Sequence, residues 1–162
     1  MTFAGHIEDM LAALEQSVFA VTGKYPADLA YMRRGIWYHS RKVWEVWNRD
    51  TLLFELHVLP YGLEVFSGLV GGEPWAVVHE VDLHRDSEIL DRIVMDLLGS
   101  EVLLQVEVDW LGVTRWVELP SARNRDLGYR YSSRKFSIRL WQRMKTATLS
   151  FDPIISSDTS SD

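Results

Sequence analysis

Residues 52–83 read LLFELHVLPYGLEVFSGLVGGEPWAVVHEVDL, and apolar residues occupy every second position along most of this stretch. Successive side chains of a strand point to opposite faces, so a period of two predicts strands with one buried face. Glycine and proline interrupt the alternation at 60–62 and 71–74. Glycine reaches positive φ and proline fixes φ, which favours tight turns at both places. The stretch therefore predicts three antiparallel strands.

An amphipathic helix is predicted on each side of these strands. Apolar residues recur at three- and four-residue spacing over about residues 4–22, and Gly23 is a natural C-terminal stop. A second apolar stripe covers residues 89–98, between a capping Asp86 and a terminating Gly99. Both helices are expected to pack their stripes on the sheet.

Further strands are predicted before and after the second helix. Aromatic and β-branched residues between 36 and 47 favour a hairpin that reverses at 40–42. Residues 101–110 alternate regularly and 113–119 continue the pattern after a glycine turn, which predicts a second, half-buried hairpin. Residues 134–147 fit both the helical and the strand period, and their Arg, Lys, Leu, Gln and Met content favours a helix.

This order of elements predicts the α+β class. We expect an antiparallel sheet of about five to seven strands, with the N-terminal helix, the middle helix and any C-terminal helix on one face. Residues 1–152 are expected to form a single domain, and the polar, acidic residues 153–162 a disordered tail. The order resembles that of the small α/β chaperones of type III secretion, a similarity of element order alone that transfers no function.

Composition narrows the class of protein. The chain has no cysteine, which excludes disulfides and thiolate chemistry. No apolar run approaches the ~20 residues of a membrane span, and the first residues lack the basic start and apolar run of a secretory signal. We therefore expect a cytoplasmic protein with no membrane role, and no motif indicates a cofactor.

Charge is distributed unevenly along the chain. The net charge is −6, which argues against a protein built mainly to hold nucleic acid. Segments 31–49 and 121–145 are nevertheless basic, with net charges of +4 and +7, whereas residues 50–118 carry −11. Such asymmetry indicates either partner choice or internal pairing of charges.

Two acidic groups could support catalysis on strand geometry. Glu80, Asp82 and His84 would share one face of a strand and converge on a divalent ion, although their spacing matches no known zinc or calcium pattern. Glu107 and Asp109 would also share a face, but beside further polar residues, as on an acidic outer surface. A solvated strand face is the favoured interpretation of both groups.

The most informative feature is the density of tryptophan and arginine, since the chain holds seven tryptophans. These residue types dominate the binding energy of protein interfaces and also stack on single-stranded nucleic acid. Trp44 and Trp47 would lie on opposite sides of a strand. Either both faces of the sheet are covered, by helices or by a second subunit, and the rings are core, or some rings meet a partner. The candidate partner-binding residues are Trp37, Trp44, Trp47, Trp116, Trp141, Arg123, Arg125, Arg130, Arg134 and Arg139.

Three functions follow as hypotheses. The first is a non-enzymatic protein-interaction module of the adaptor, chaperone-like or immunity type, working as a homodimer through this aromatic and arginine-rich surface. The second is binding of single-stranded nucleic acid or another anionic ligand by segments 31–49 and 121–145. The third is a metal-assisted hydrolase at Glu80, Asp82 and His84. We favour the first, because no catalytic constellation stands out in the sequence.

Overall fold

The computed structural model describes residues 3–70, 74–108, 112–120, 132–137 and 145–155. A short 3₁₀ turn at Pro26–Asp28 follows the first helix. The helices and strands, in chain order, are α1 (Phe3–Thr22), β1 (Met32–Trp37), β2 (Lys42–Asn48), β3 (Thr51–Leu59), β4 (Gly62–Ser67), β5 (Ala76–His79), α2 (Glu80–Arg85), α3 (Ile89–Gly99), β6 (Val102–Val108), β7 (Val113–Glu118), β8 (Ser132–Ser137) and β9 (Lys145–Phe151).

The strands form two antiparallel sheets. Sheet A has five strands in the order β1-β2-β3-β4-β5, and sheet B has four in the order β8-β7-β6-β9. All pairs are antiparallel, and sheet A follows the chain as a simple meander. The predicted α+β class is confirmed, with the strands of the described residues divided between two sheets.

Sheet A and the two longer helices share one core. The predicted stripe of α1 is buried, and the helix ends at Gly23, where φ is +77° and the backbone N–H donates to the Phe19 carbonyl at 2.8 Å. Trp75 and Phe54 lie at the centre with ring centroids 5.9 Å apart. The core cluster combines residues from α1, sheet A, α3 and sheet B, among them Ile7, Leu14, Val18, Phe54, Leu56, Val65, Trp75, Ile93, Leu97, Val102, Leu104 and Val117. The two sheets are therefore held by a continuous apolar interior.

The register of sheet A decides which residues face outward. Because directly paired residues lie on the same face, the pairing of Val46 with Phe54 and of Leu56 with Val65 defines the inner, buried face. The outer face carries two rows of paired residues, Arg33–Glu45–Glu55–Phe66 and Val43–His57–Glu64–Val77. Sheet A thus has an apolar inner face and an outer face rich in carboxylates.

The third predicted strand of residues 52–83 is shorter than expected. It ends at His79, and residues 80–85 form the helix α2. The Asp86 N–H closes its last turn on the Asp82 carbonyl at 2.9 Å. Acidic residues in the first turn and basic residues in the last suit the helix dipole. The alternation of Val81 and Leu83 therefore gave the wrong secondary structure at this end.

The helix favoured for residues 134–147 is also wrong at both of its ends. Residues 132–137 form β8 and residues 145–151 form β9, while residues 138–144 lie outside the described part of the chain. Intrinsic helix propensity is a weak preference that strand pairing overrides. Here β8 pairs with β7 and β9 pairs with β6.

Residues 153–155, the first residues of the expected tail, belong to the described part of the structure. Ile154 and Ile155 pack against the core, and the Ile155 N–H donates to the Leu98 carbonyl at 3.0 Å. Residues 156–162 lie outside the described part of the chain, so the prediction of a disordered tail is not addressed there.

Gly62 provides a test of the β4–β5 pairing. A Cβ on this residue would overlap the carbonyl oxygen of Val78 in the neighbouring strand. We expect Gly62→Ala to lower the free energy of unfolding by about 2–3 kcal/mol, because backbone must move to admit the methyl group. In the control Gly23→Ala the new Cβ meets open space, and only the cost of the left-handed φ, about 1 kcal/mol, applies. Urea unfolding measures both, and equal losses would contradict the close approach.

Candidate functional site

The hairpin of β1 and β2 presents most of the exposed aromatic and basic side chains of sheet A. Strand β1 is an edge strand, and the Tyr38 N–H closes the turn on the Arg41 carbonyl at 2.7 Å. The register shifts between Arg34 and Trp37, as in a β-bulge. Ile36 and Tyr38, within and just after this irregular stretch, are each 63% exposed. Large side chains this open on an edge strand are a candidate contact surface.

The first arginine–tryptophan pair of the hairpin is Arg34 and Trp37. The Arg34 Cζ lies 3.6 Å from the Trp37 ring centroid, and the Lys42 Nζ lies 5.1 Å from the same ring. The Trp37 indole is fixed from two other directions. Its Nε1–H donates to the Val43 carbonyl at 3.0 Å, and its ring meets the buried Trp44 edge-on at 5.8 Å. The Arg34 guanidinium therefore rests on an indole that the core holds in place.

The second pair, Arg33 and Trp47, lies on the outer face of the hairpin. The Arg33 Cζ is 4.5 Å from the Trp47 ring centroid, and the Trp47 Nε1–H donates to Glu45 Oε2 at 2.9 Å. Glu45 is opposite Arg33 in the register, so the three residues form one compact group. Each cation–π contact contributes about 0.5–1 kcal/mol at exposed sites.

We call strands β1 and β2 with these two pairs the arginine–tryptophan hairpin. Its two guanidinium groups are already stacked on the Trp47 and Trp37 rings in the free protein. That ordering reduces the side-chain entropy lost on binding. The N–H groups of a stacked guanidinium stay available, because the ring covers its face and not its edge.

The predicted partner-binding residues do not all belong to this hairpin. Trp37 and Trp47 are partly exposed on it, whereas Trp44 is 6% exposed and belongs to the core. Trp116 is partly buried on β7, where the register places it opposite Arg134 of β8. The remaining predicted residues, Trp141, Arg123, Arg125, Arg130 and Arg139, lie outside the described residues.

The sequence analysis did not name four exposed residues of the hairpin as candidates: Arg33, Arg34, Ile36 and Tyr38. Their segment was recognised as basic and aromatic, but a strict period of two assigns Arg34 and Ile36 to one face. The register shift between Arg34 and Trp37 breaks that period. The nearest sequence signal is Gly35, since a glycine inside a strand often marks a bulge.

A polar cleft lies beside the hairpin, where the β2–β3 turn meets the end of β9. Its volume is about 630 Å³. Aromatic walls come from Tyr31, Trp47 and Phe151, and the turn contributes Arg49. Burial raises the pKa of Tyr31, so its hydroxyl stays protonated and can donate. The carboxylates of Asp50 and Asp152 also line the cleft. The rings can hold a planar molecule, and Arg49 can contact one anionic group on it.

The Arg49 backbone is in an unusual conformation. Its φ is +53°, the left-handed region, which costs a residue with a side chain roughly 1–2 kcal/mol. Arg49 and Asp50 alone connect the paired residues Asn48 and Thr51, so the turn is as tight as a hairpin permits. Backbone strain of this kind often accompanies functional positions.

The outer face of sheet A carries a half-buried histidine among carboxylates. His57 Nε2 lies 3.4 Å from Glu55 Oε2, and the His57 ring centroid is 4.5 Å from that of Phe66. The register places Glu64 directly opposite His57. Burial lowers the pKa of His57, and the charge of Arg41 lowers it further. The Glu55 and Glu64 carboxylates oppose that shift without overcoming it.

The proposed metal ligands do not share a face as predicted. Glu80, Asp82 and His84 lie on α2, where residues two apart point in different directions. Glu80 Oε1 is 4.0 Å from His84 Nε2 and 3.2 Å from His6 Nδ1. Across the described residues, no group of three or more His, Asp or Glu side chains is arranged to hold a metal ion. The strand-based argument for a metal site is therefore wrong.

The second predicted carboxylate pair is described only in part. Glu107 is exposed on β6, as expected for an outer surface, and Asp109 lies outside the described residues.

Comparison of the chain with protein-family models, with curated proteins and with solved structures gave no match. Within the part of the chain that the structure describes, no helix has the length and apolar character needed to cross a membrane.

The environment of His57 predicts a pH dependence of stability. Its pKa in the folded state is below the 6.5 of the unfolded chain. The unfolded state therefore binds the proton first as the pH falls below 6.5, and folding becomes less favourable. We expect His57→Gln to remove part of the stability loss between neutral pH and about pH 5. Urea unfolding across this range measures it.

The control is the same change at His39, an exposed turn residue. His39→Gln should keep the wild-type pH profile. An unchanged profile in His57→Gln would show that the His57 cluster does not set the acid sensitivity.

Proposed function

We propose that this chain is a non-enzymatic protein-interaction module of the adaptor, chaperone-like or immunity type, which works as a homodimer. In this proposal the arginine–tryptophan hairpin binds another protein. The observation that supports it is the pair of stacks, Arg33 on Trp47 and Arg34 on Trp37, which lie on the two faces of one exposed edge hairpin.

The composition of the hairpin fits an interface hot spot. Tryptophan, tyrosine and arginine are the side chains whose truncation most often costs more than about 2 kcal/mol of binding. Here they occur together with Ile36 and Tyr38, both well exposed. Anchoring to the Val43 carbonyl and to Trp44 keeps the Trp37 ring rigid, which lowers the entropic cost of binding.

The charge of the hairpin indicates the chemistry of the partner. Residues 31–49 have a net charge of +4. Within the described residues, no carboxylate lies within ion-pair distance of Arg33 or Arg34. Their guanidinium edges can therefore receive carboxylates, the group that arginine binds with two parallel hydrogen bonds. We expect the partner surface to present acidic side chains around an apolar centre.

Charge reversal on the hairpin tests this proposal. We expect the double variant Arg33→Glu/Arg34→Glu to lose partner binding by at least about tenfold, because hot-spot arginines are replaced by repelling carboxylates. The tagged wild type first captures its partner from extract of the native host. The partner is then purified, and its dissociation constant for each variant is measured by surface plasmon resonance.

The matched control is Lys24→Glu/Arg85→Glu, which makes the same change in net charge at two exposed residues away from the hairpin. This control should bind like the wild type. Equal binding by all three proteins would refute the role of the hairpin. An equal loss of partner binding in both double variants would show that net charge, and not the hairpin, determines binding.

A second function has its own support in the cleft beside Arg49, namely binding of an anionic ligand with a planar ring, such as a single-stranded nucleotide. Rings of Tyr31, Trp47 and Phe151 can stack on a base, and the Arg49 guanidinium can meet its phosphate. The chain keeps an arginine at a φ that glycine would adopt without strain. This is the pattern expected where function outweighs local stability.

Arg49→Gly separates binding from stability. The variant should unfold within about 1 kcal/mol of the wild type, because relief of strain offsets the flexibility that glycine adds to the unfolded chain. It should lose binding of a fluorescent oligothymidine at ~50 mM salt, where phosphate contacts are strongest. The control Lys24→Gly removes one charge at an exposed bend and should keep binding. Absence of oligothymidine binding by the wild type would end this second proposal.

A further inference from the structure

Strand β9 is an edge of sheet B among the strands that the structure describes. It pairs on one side with β6 over seven consecutive residues, from Lys145 opposite Val108 to Phe151 opposite Val102, with no shift of register. A regular edge strand presents unpaired N–H and C=O groups that can template another strand.

The other three edges of the described sheets carry features that discourage such pairing. Strand β1 has two arginines and a register shift, and β5 has only four residues. Strand β8 has Arg134 and Lys135 at its centre. Strand β9 reads KTATLSF, with no charge after its first residue and no proline or glycine. Charge, irregularity and shortness are the usual protections of an edge, and β9 lacks them beyond Lys145.

The exposed side chains of β9 also indicate an uncovered face. All residues from Thr146 to Ser150 are exposed, and Leu149 is 54% exposed. Leu149 is paired with Leu104, and Ala147 with Val106. Since Leu104 belongs to the core, the face of sheet B that carries it runs from a buried Leu104 to an exposed Leu149.

We propose that β9 pairs with β9 of a second copy, antiparallel about a two-fold axis at Thr148. The two copies of sheet B then form one continuous eight-stranded sheet. The two-fold axis is perpendicular to the sheet, so each face of one copy continues into the same face of the other. Because directly paired residues share a face, the register must place one residue opposite its own copy. This inference rests on the proposed homodimer and locates its contact, independently of the arginine–tryptophan hairpin.

The sequence of β9 is complementary to itself in this register. Leu149 lies opposite Ala147 of the partner subunit on the apolar face, and Thr148 lies opposite its own copy on the polar face. Such apolar pairs and Thr–Thr pairs stabilise antiparallel strands. Lys145 lies opposite Phe151 of the partner subunit, at each end of an uncharged centre. Because the centre of the strand carries no charge, pairing with its own copy brings no like charges together there.

The first test is the mass of the protein in solution, measured by sedimentation equilibrium over a concentration series. The wild type should reach twice the 18.7 kDa mass of the chain. Leu149→Lys should raise the dimer dissociation constant by at least about tenfold, because lysine on an edge opposes strand pairing. The control Val81→Lys changes a similarly exposed apolar residue on α2 and should leave the dimer intact. A monomer at every concentration would overturn the inference together with the proposed homodimer.

The second test determines the register by disulfide crosslinking. The chain has no native cysteine, so an introduced thiol can pair only with its copy in another chain. With Thr148→Cys the two thiols lie opposite each other, at the ~4.5–5.5 Å Cα separation that a disulfide accepts, so mild oxidation should link the two copies. With Thr146→Cys the thiols lie about 14 Å apart and should stay unlinked. A dimer that Leu149→Lys does not weaken, or that links through position 146 instead, would overturn this inference alone. Partner binding by the hairpin should be unchanged in Leu149→Lys, so the two proposals fail separately.

Discussion

The structure depends on the coverage of the inner face of sheet A. Phe54, Leu56, Val65 and Trp75 are almost fully removed from water, and α1 with α3 supplies the apolar side chains that cover them. Each large buried side chain contributes about 1.5–3 kcal/mol, so this layer accounts for much of the stability. The two helices also meet through the Ser17 hydroxyl and the Asp91 carboxylate. The positions of the outer face and the edges follow from that packing.

Rigid packing inside explains how exposed rings can be ordered outside. Trp44 is buried in the core, and Trp37 rests edge-on against it while donating to the Val43 carbonyl. Arg34 stacks on the Trp37 ring, with its Cζ 3.6 Å from the ring centroid. A chain of contacts thus connects the centre of the protein to a guanidinium at its surface. These contacts with the close-packed core restrict the motion of the guanidinium.

The sequence predicts the elements whose burial pattern is simple. α1, α3 and the β6–β7 hairpin have one apolar side each, so periodicity alone locates them. Prediction fails where a pattern is short or ambiguous. Val81 and Leu83 continue the period of a strand, although they lie in the helix α2. The residues around Lys135 favour a helix, but they form β8 because they pair with β7. Local propensity is weaker than these tertiary contacts.

For the candidate site, only the residue types of the segment could be predicted from the sequence, and not which side chains are exposed. The aromatic and basic character of residues 31–49 was visible, but the division of Trp37, Trp44 and Trp47 between surface and core depends on two register shifts, one between Arg34 and Trp37 and one between Val46 and Trp47. Arg49 carries no sequence signal of its left-handed backbone, because arginine is not a residue typical of that conformation. Both features arise from how two strands pair, which a single-sequence period does not encode.

Site-specific photo-crosslinking in the native host tests the central claim most directly. A photoreactive phenylalanine analogue at Tyr38 would project from the exposed end of the hairpin, and the same analogue at Val81 would sample an equally exposed site on α2. Irradiation should give a discrete adduct with another protein from position 38 and none from position 81. No adduct from position 38, or the same adducts from both positions, would contradict a partner surface on the arginine–tryptophan hairpin.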